Sequence, residues 1–339
     1  MKVKTKLFLK SSIWVWKRFW IIRNSKKHVK DKTKISLQYR NDYLLKKAEA
    51  LLRDFNIKVQ VFGYENIVDK GNTLIVSNHA DNIDGFAMIV ALKKTNQDKN
   101  INNRIPTFLV KAELKADKFS RSILDWIDSF YIDRDSPRQS ANAINDLIEY
   151  SKKHRTYPVV FPSGTRSKDD TIGTFKSASF KIAKKGFFNI LPVTINNSLN
   201  GFNWNKTETQ VIEVHFHKPI KANEIANLDT EAISNRVYKI IESKFKKPEI
   251  TEEIKKYWEK EQSSVLKYKE KLAKINEKEK TKKEAQLIKE EKLIKKLTEK
   301  EKAQAIKEKT KDDAFKVKMI EKDKKAKEKA LDREKGKNE

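Results

Sequence analysis

The chain has 339 residues and carries 75 Lys and Arg against 47 Asp and Glu, a formal net charge of +28. It has no cysteine, which excludes disulfides, thiolate nucleophiles and Cys-based zinc or iron–sulfur centres. The charge excludes an acidic solvating protein and favours a negatively charged partner: an anionic membrane, a phosphorylated substrate or nucleic acid.

Residues 1–23 combine Trp14, Trp16 and Trp20 with Lys17 and Arg18, and Leu7, Phe8, Trp14, Val15, Phe19 and Ile22 recur close to helical spacing. Lys17 and Arg18 interrupt the apolar stretch 13–22, which falls short of the roughly 20 apolar residues a spanning helix needs. A signal peptide would need an unbroken apolar core and a small-residue cleavage site, and neither is expected here. The segment therefore reads as a helix lying in a membrane interface, with Trp at the headgroup level and Lys toward anionic lipid. A second amphipathic helix is expected over 37–55, with Leu37, Leu44, Ala48, Leu51, Leu52 and Phe55 on one stripe.

From residue 57 to about 247, short apolar strands alternate with helices. Strands are expected at 59–62, 74–77, 107–110, 130–132, 159–161, 190–195 and 211–216, and helices at 85–93, 138–153, 176–184 and 231–245. This alternation predicts an α/β fold with a mostly parallel sheet flanked by helices, and ligands at the carboxyl ends of its strands. Beyond residue 251 the chain is Lys/Glu-rich: residues 261–339 hold 27 basic and 18 acidic residues. Val265, Leu266, Leu272 and Ile275 begin a heptad seam that Lys282, Gln286 and Lys289 interrupt, so a long charged helix held by i,i+4 pairs is expected. The domain division read from these shifts is 1–56, 57–250 and 251–339, respectively amphipathic helices, a catalytic domain and a helical tail.

The segment Leu74-Ile-Val-Ser-Asn-His-Ala-Asp-Asn-Ile-Asp84 runs an apolar strand directly into Asn78-His79, with Asp84 five residues after the histidine. On one helix that spacing would place the pair about 140° apart. A strand-to-helix turn instead folds Asp84 back onto the imidazole, fixing its tautomer for general-base work. A second segment, Phe161-Pro-Ser-Gly-Thr-Arg-Ser167, follows a strand with a small polar loop. There Gly164 lets backbone N–H groups approach an anion, Thr165 adds a donor and Arg166 offers a planar fork for phosphate. Only 12 basic residues are Arg, and Arg134 follows the strand 130–132 in the same way, with Lys111 after 107–110. His215 and His217 share a strand face, but no carboxylate is obviously placed to complete a metal site, so they read as structural and no metal is expected.

Taken together, these segments resemble the glycerolipid acyltransferases. His79-x4-Asp84 is similar to the family's first motif, Phe161-Pro-Ser-Gly-Thr-Arg-Ser167 to its Phe-Pro-Glu-Gly-Thr-Arg-Ser motif, and Tyr131-Ile-Asp-Arg134 to the segment between them. Val110-Lys-Ala-Glu-Leu114 and Ile190-Leu-Pro-Val-Thr-Ile195 resemble two further family elements, and all five occur in the family's order. The nearest branch is that of the 1-acylglycerol-3-phosphate (lysophosphatidate) acyltransferases.

The resemblance implies that His79, oriented by Asp84, deprotonates an acceptor hydroxyl that attacks an acyl thioester. Lys111, Arg134, Gly164, Thr165 and Arg166 would hold the acceptor's phosphate. It implies no cofactor, with acyl-acyl carrier protein or acyl-coenzyme A as cosubstrate, and a peripheral or monotopic place on the cytoplasmic face of the cell membrane. Two positions depart from the pattern: Ser163 stands where the family has Glu, and Asp81 where it has Ser.

Three other readings compete with this one. The same fold could serve another acceptor, such as glycerol 3-phosphate or another lysophospholipid. A membrane tether would leave His79, Asp84, Arg134 and Arg166 without a role. A nucleic-acid module would interleave aromatics with its basic residues, whereas the tail is nearly aromatic-free and rich in Glu.

Overall fold

The computed structural model describes residues 1–69, 72–95, 102–167 and 171–335. They divide into two units, Met1–Leu272 and Ala273–Glu339.

The first unit opens with three helices, α1 (Val3–Leu9), α2 (Ser11–Lys30) and α3 (Leu37–Asp54). Ser36 caps α3 by accepting the Tyr39 N–H, satisfying one of the orphan donors of the first turn. The expected stripe of α3 is its buried face, with Leu44, Ala48 and Leu52 under 5 % exposed and Leu45 beside them. In α2 the outcome differs from a single stripe. Ile21, Ser25 and His28 are buried, while Ile13, Val15, Trp16 and Phe19 stand exposed together with Phe8 and Leu9 before them. The helix is thus apolar on two faces, one serving the core and the other facing outward. No helix among the described residues is long and apolar enough to cross a membrane.

The αβ region follows as β1 (Ile57–Phe62), β2 (Thr73–Ser77), α4 (Ile83–Ala91), β3 (Pro106–Lys111), α5 (Lys118–Trp126), β4 (Phe130–Ile132), α6 (Pro137–His154), β5 (Tyr157–Val160), α7 (Lys181–Gly186), β6 (Asn189–Asn196), β7 (Gln210–Phe216), α8 (Ala222–Ile225) and α9 (Thr230–Glu242). The expected strands are all present, within a residue or two of their bounds. The seven strands form one sheet in the order β1-β7-β6-β2-β5-β3-β4, parallel throughout except for the antiparallel pair β6–β7.

Strand β2 is buried along its whole length, and its residues alternate between two cores. Ile75 joins the core under α3 and α4 with Ala48, Ile83 and Met88, whereas Leu74 and Val76 join the core under α6, α7 and α9 with Leu147, Ile182 and Val237. This period-two split explains why the strand reads as a continuous apolar run: both of its faces are covered.

Two segments differ from the sequence expectation. The helix expected over 176–184 is a 3-10 turn, Ser177–Phe180, followed by the short α7. Helix α5 has no counterpart in the sequence analysis, although Asp117 caps it by accepting the Ser120 N–H at 2.6 Å and Trp126 is fully buried at its end.

The helix α10 (Glu252–Lys335) ends the described chain, and its residues from Ala273 onward make up the second unit. Leu266 is exposed and Ile275 half-buried, while the side chains of Val265 and Leu272 lie outside the described residues. Further along, Leu287, Leu293, Ile294 and Leu297 are exposed.

A buried charge cluster joins the N-terminal helices to the sheet region. Asp128, in the turn after α5, accepts His28 Nε2–H at 2.9 Å, Arg40 Nη2–H at 2.6 Å and the Tyr150 hydroxyl at 2.8 Å. Burial opposes ionisation of Asp128, but the His28 bond, the Arg40 charge and the Tyr150 bond outweigh it and hold the carboxyl well below the usual carboxylate range.

A depressed carboxylate stabilises the fold fully above its unfolded value of about 3.9, and that contribution fades as pH falls below it. Asp128→Asn is therefore expected to cost about 3–5 kcal/mol at pH 7, because it leaves Arg40 buried without its counter-ion. In denaturant titrations the gap to the native chain should be constant above about pH 5 and narrow progressively as pH falls below about 4.

Candidate active site

Four neighbouring parallel strands release their carboxyl ends on the same edge of the sheet. They place His79 after β2, Phe161–Arg166 after β5, Lys111 at the end of β3 and Arg134 after β4. His79, Lys111, Arg134, Gly164, Thr165 and Arg166 line one cavity of about 410 Å³, and Asp84 lies buried behind His79. All seven residues singled out by the sequence thus converge. Apolar side chains make up much of the remaining wall, with Ile89, Phe108, Ile123 and Ile127 among them.

The histidine is held from both sides in the chain. Asn78 is buried, and its amide pairs with the backbone of Ile195 in both directions, Nδ2–H to the carbonyl and the Ile195 N–H to Oδ1, each at 2.8 Å. A side chain here continues the β2–β6 ladder one step beyond the strand and fixes the backbone from which His79 departs. The chain then turns into α4 around Asp84, whose Oδ2 accepts the backbone N–H of Ala80 at 2.8 Å and of Asp81 at 3.0 Å. The same oxygen lies 2.7 Å from His79 Nδ1. Asp84 sits in the first turn of α4, where the exposed N–H groups and the helix dipole favour a negative charge. Nδ1–H donating to this carboxylate leaves Nε2 as the basic nitrogen of the ring. The His79 ring also stacks on Phe161, with centroids 4.2 Å apart.

Asp81, the departure from the family's Ser, is fully buried and does not face solvent. Its Oδ1 accepts the Ile83 N–H at 3.1 Å, an Asx turn that begins one residue before the N-cap Asn82 of α4. Ser163, the departure from the family's Glu, is buried and turns inward, its hydroxyl donating to the Thr165 carbonyl at 2.8 Å. The loop is bound to the first motif through Ser167 N–H, which donates to the His79 carbonyl at 2.9 Å.

At Gly164 the residue's own N–H is bonded to the Phe161 carbonyl at 2.9 Å, so that one group is not offered to an anion. The residue is at φ +67°, where any side chain is strained, and this favours glycine. The Arg134 guanidinium lies against the loop and donates to the Gly164 carbonyl.

Positive charge accumulates around Lys111. Its burial, the charges of Arg134 and Arg166 and that of Lys176 together lower its pKa to about 8, with Glu113 as the opposing charge. Lys176 also lines the cavity and was not distinguished in the sequence, where a lysine in so Lys-rich a chain carries no signal. The remaining strand histidines are separately occupied. His217 Nε2 lies 2.8 Å from the Thr194 hydroxyl, and burial pulls its pKa down to about 4. His215 does have a carboxylate partner, Glu213, at 3.1 Å. Among the described residues there is no cluster of three or more potential metal ligands.

The family model described as Acyltransferase matches residues 58–196, the span from β1 to the end of β6. A probable 1-acyl-sn-glycerol-3-phosphate acyltransferase of Mycoplasma pneumoniae is 32% identical over 194 residues, covering 55% of this chain and 70% of the relative. The chain belongs to the acyltransferase family. A second such relative, from Mycoplasma genitalium, is 32% identical over 52% of this acyltransferase and 67% of its own length. The crystal structure of the 1-acyl-sn-glycerophosphate acyltransferase of Thermotoga maritima matches the fold with a TM-score of 0.52 and 19% identity, over 72% of this chain and 97% of that one. The region 58–196 matched by the family model includes every cavity-lining residue of this acyltransferase discussed above, from His79 to Lys176.

Lys111 is expected to titrate near pH 8 in the free enzyme, as read from its ¹³Cε chemical shift by NMR. Arg134→Gln should move that midpoint up toward the ordinary lysine value, because it removes the cationic charge that acts most strongly on Lys111.

Proposed function

We propose that this enzyme moves a fatty acyl group from a thioester carrier to the sn-2 hydroxyl of lysophosphatidate, giving phosphatidate for phospholipid synthesis. The observation that carries the reading is the His79–Asp84 bond at the wall of a cavity lined by both cationic and apolar side chains. A phosphate monoester bearing a hydrocarbon chain matches both. The Mycoplasma pneumoniae and Mycoplasma genitalium relatives are named for that acceptor.

In this mechanism the acceptor hydroxyl meets His79 Nε2, which takes its proton as the oxygen attacks the thioester carbonyl carbon. Asp84 stabilises the imidazolium so formed. Collapse of the tetrahedral intermediate breaks the carbon–sulfur bond, and the departing sulfur takes the proton back from His79. Atoms and charge balance without an acyl-enzyme, in keeping with the absence of cysteine. Arg134, Arg166 and Lys111, with Lys176, hold the phosphate, Arg through planar paired bonds and Lys as point charges. Gly164 and Thr165 shape the loop on which Arg134 rests.

Acyl carrier protein and coenzyme A present the same phosphopantetheine thioester, and both are negatively charged partners for a chain of +28. The exposed Phe8, Val15, Trp16 and Phe19 support a position of α1 and α2 in a membrane interface, taken here as that of the cytoplasmic leaflet, from which a lysolipid acceptor would be drawn.

Acyl transfer to radiolabelled lysophosphatidate in vesicles, with both donor types offered, tests the reading. The native chain should form phosphatidate, and His79→Ala should lower kcat by roughly 10²–10⁴-fold, the usual worth of a general base. Equal rates in the two proteins would remove His79 from the mechanism. In the same assay Arg166→Gln should raise KM for lysophosphatidate at least tenfold with a smaller change in kcat. Preference for glycerol 3-phosphate over lysophosphatidate would overturn the acceptor while leaving the chemistry intact.

A further inference from the structure

A second cavity, of about 720 Å³, is lined by α1, α2 and α3 and shares Phe86 and Ile123 with the wall of the His79 cavity. Its walls are apolar, with Leu7, Leu44, Leu51 and Phe55 among them, yet Lys17 and Lys47 reach into it, with the more exposed Lys4 and Arg18 beside them. Lys17 Nζ lies 4.4 Å from the centroid of the Trp14 ring, and Lys47 Nζ lies 4.8 Å from that of Tyr43. Both lysines are half-buried.

Neither lysine forms an ion pair among the described residues. Asp54, the carboxylate that acts on Lys17, is committed elsewhere: Oδ1 takes the Lys10 ammonium at 2.5 Å and Oδ2 accepts Trp14 Nε1–H at 3.2 Å. Burial, and then the charge of Lys47, press Lys17 below the ordinary lysine value, and Lys10 and Arg53 add to the repulsion. Ring faces offer a cation about 0.5–1 kcal/mol at partly exposed sites, which does not replace a counter-ion. The arrangement holds two cations over an apolar volume, and an anion with a hydrocarbon chain satisfies both features at once. The exposed Phe8, Val15, Trp16 and Phe19 surround this region on the same two helices, so the source of such an amphiphile is the bilayer.

We propose that this cavity binds an anionic membrane phospholipid, its phosphate between Lys17 and Lys47 and an acyl chain along Leu44, Leu51 and Phe55, with a headgroup position distinct from the Lys111, Arg134 and Arg166 rim of the adjoining cleft. The assignment is independent of which acceptor the cleft takes, although it shares the membrane placement given above.

The test is calorimetric titration of the full chain with dihexanoyl phosphatidylglycerol and dihexanoyl phosphatidylcholine, each below its micelle concentration. The anionic lipid should bind saturably and at least tenfold more tightly than the zwitterionic one. Lys17→Gln/Lys47→Gln should weaken it at least tenfold, while the charge-retaining Lys17→Arg/Lys47→Arg pair should bind as the native chain does. Arg134→Gln/Arg166→Gln, which disables the cleft's phosphate rim, should leave this binding unchanged. Equal affinity for the two headgroups, equal affinity in the Lys→Gln pair, or failure of the Arg pair to bind would overturn the proposal. Loss of binding in Arg134→Gln/Arg166→Gln would assign the lipid to the cleft instead.

Discussion

The site depends on one oxygen of one buried carboxylate. Asp84 Oδ2 gathers the Ala80 and Asp81 N–H groups and His79 Nδ1 within 3.0 Å, so the same atom that orients the imidazole also folds the turn that carries it. The other oxygen, Oδ1, is buried and has no hydrogen-bond partner among the described residues. A carboxylate so placed keeps much of its charge for the ring it faces, which suits a base that must become an imidazolium during reaction. Truncating it would disturb backbone and side chain together, so its contribution to catalysis is not separable from its contribution to the turn.

The sheet then decides what surrounds that base. Parallel strands end on one edge, and the order β2-β5-β3-β4 brings His79, Arg166, Lys111 and Arg134 to a common rim although they are spread over nearly 90 residues of sequence. Burial, and then the charges of Arg134 and Arg166, lower the Lys111 pKa, so the rim's cations repel one another. In the proposed reading a dianionic phosphate would relieve that repulsion on binding. The Ser163 hydroxyl, turned onto the Thr165 carbonyl, adds no negative charge to this rim, unlike the family's Glu.

Much of this arrangement was legible in the sequence because it is local or periodic. The apolar run ending in Asn78-His79, the five-residue step to Asp84, and arginines following strands in a Lys-rich chain are each readable from neighbouring residues. The unreadable parts are those set by distant partners. Asn78 pairs with Ile195 across 117 positions, and nothing near Asn78 announces it. Gly164 invited a phosphate-loop interpretation, and neither its positive φ nor the Arg134 side chain that reaches it from beyond another strand is announced by its neighbours in sequence. Helix α5 carries a capping Asp117 and an apolar spacing of Phe119, Ile123 and Trp126, signals that a nine-residue element shows only weakly. The two-faced character of α2 likewise escapes a periodicity argument, since apolar residues on opposite sides cancel in any one-stripe pattern.

The central claim is that Asp84 holds His79 with its proton on Nδ1 and leaves Nε2 as the base. Nitrogen-15 NMR of the full chain labelled at histidine tests this most directly, at a pH where His79 is neutral. The account predicts a protonated Nδ1 and an unprotonated Nε2 for His79, with the tautomer preference lost in Asp84→Ala. A neutral His79 carrying its proton on Nε2 in the native chain would contradict it.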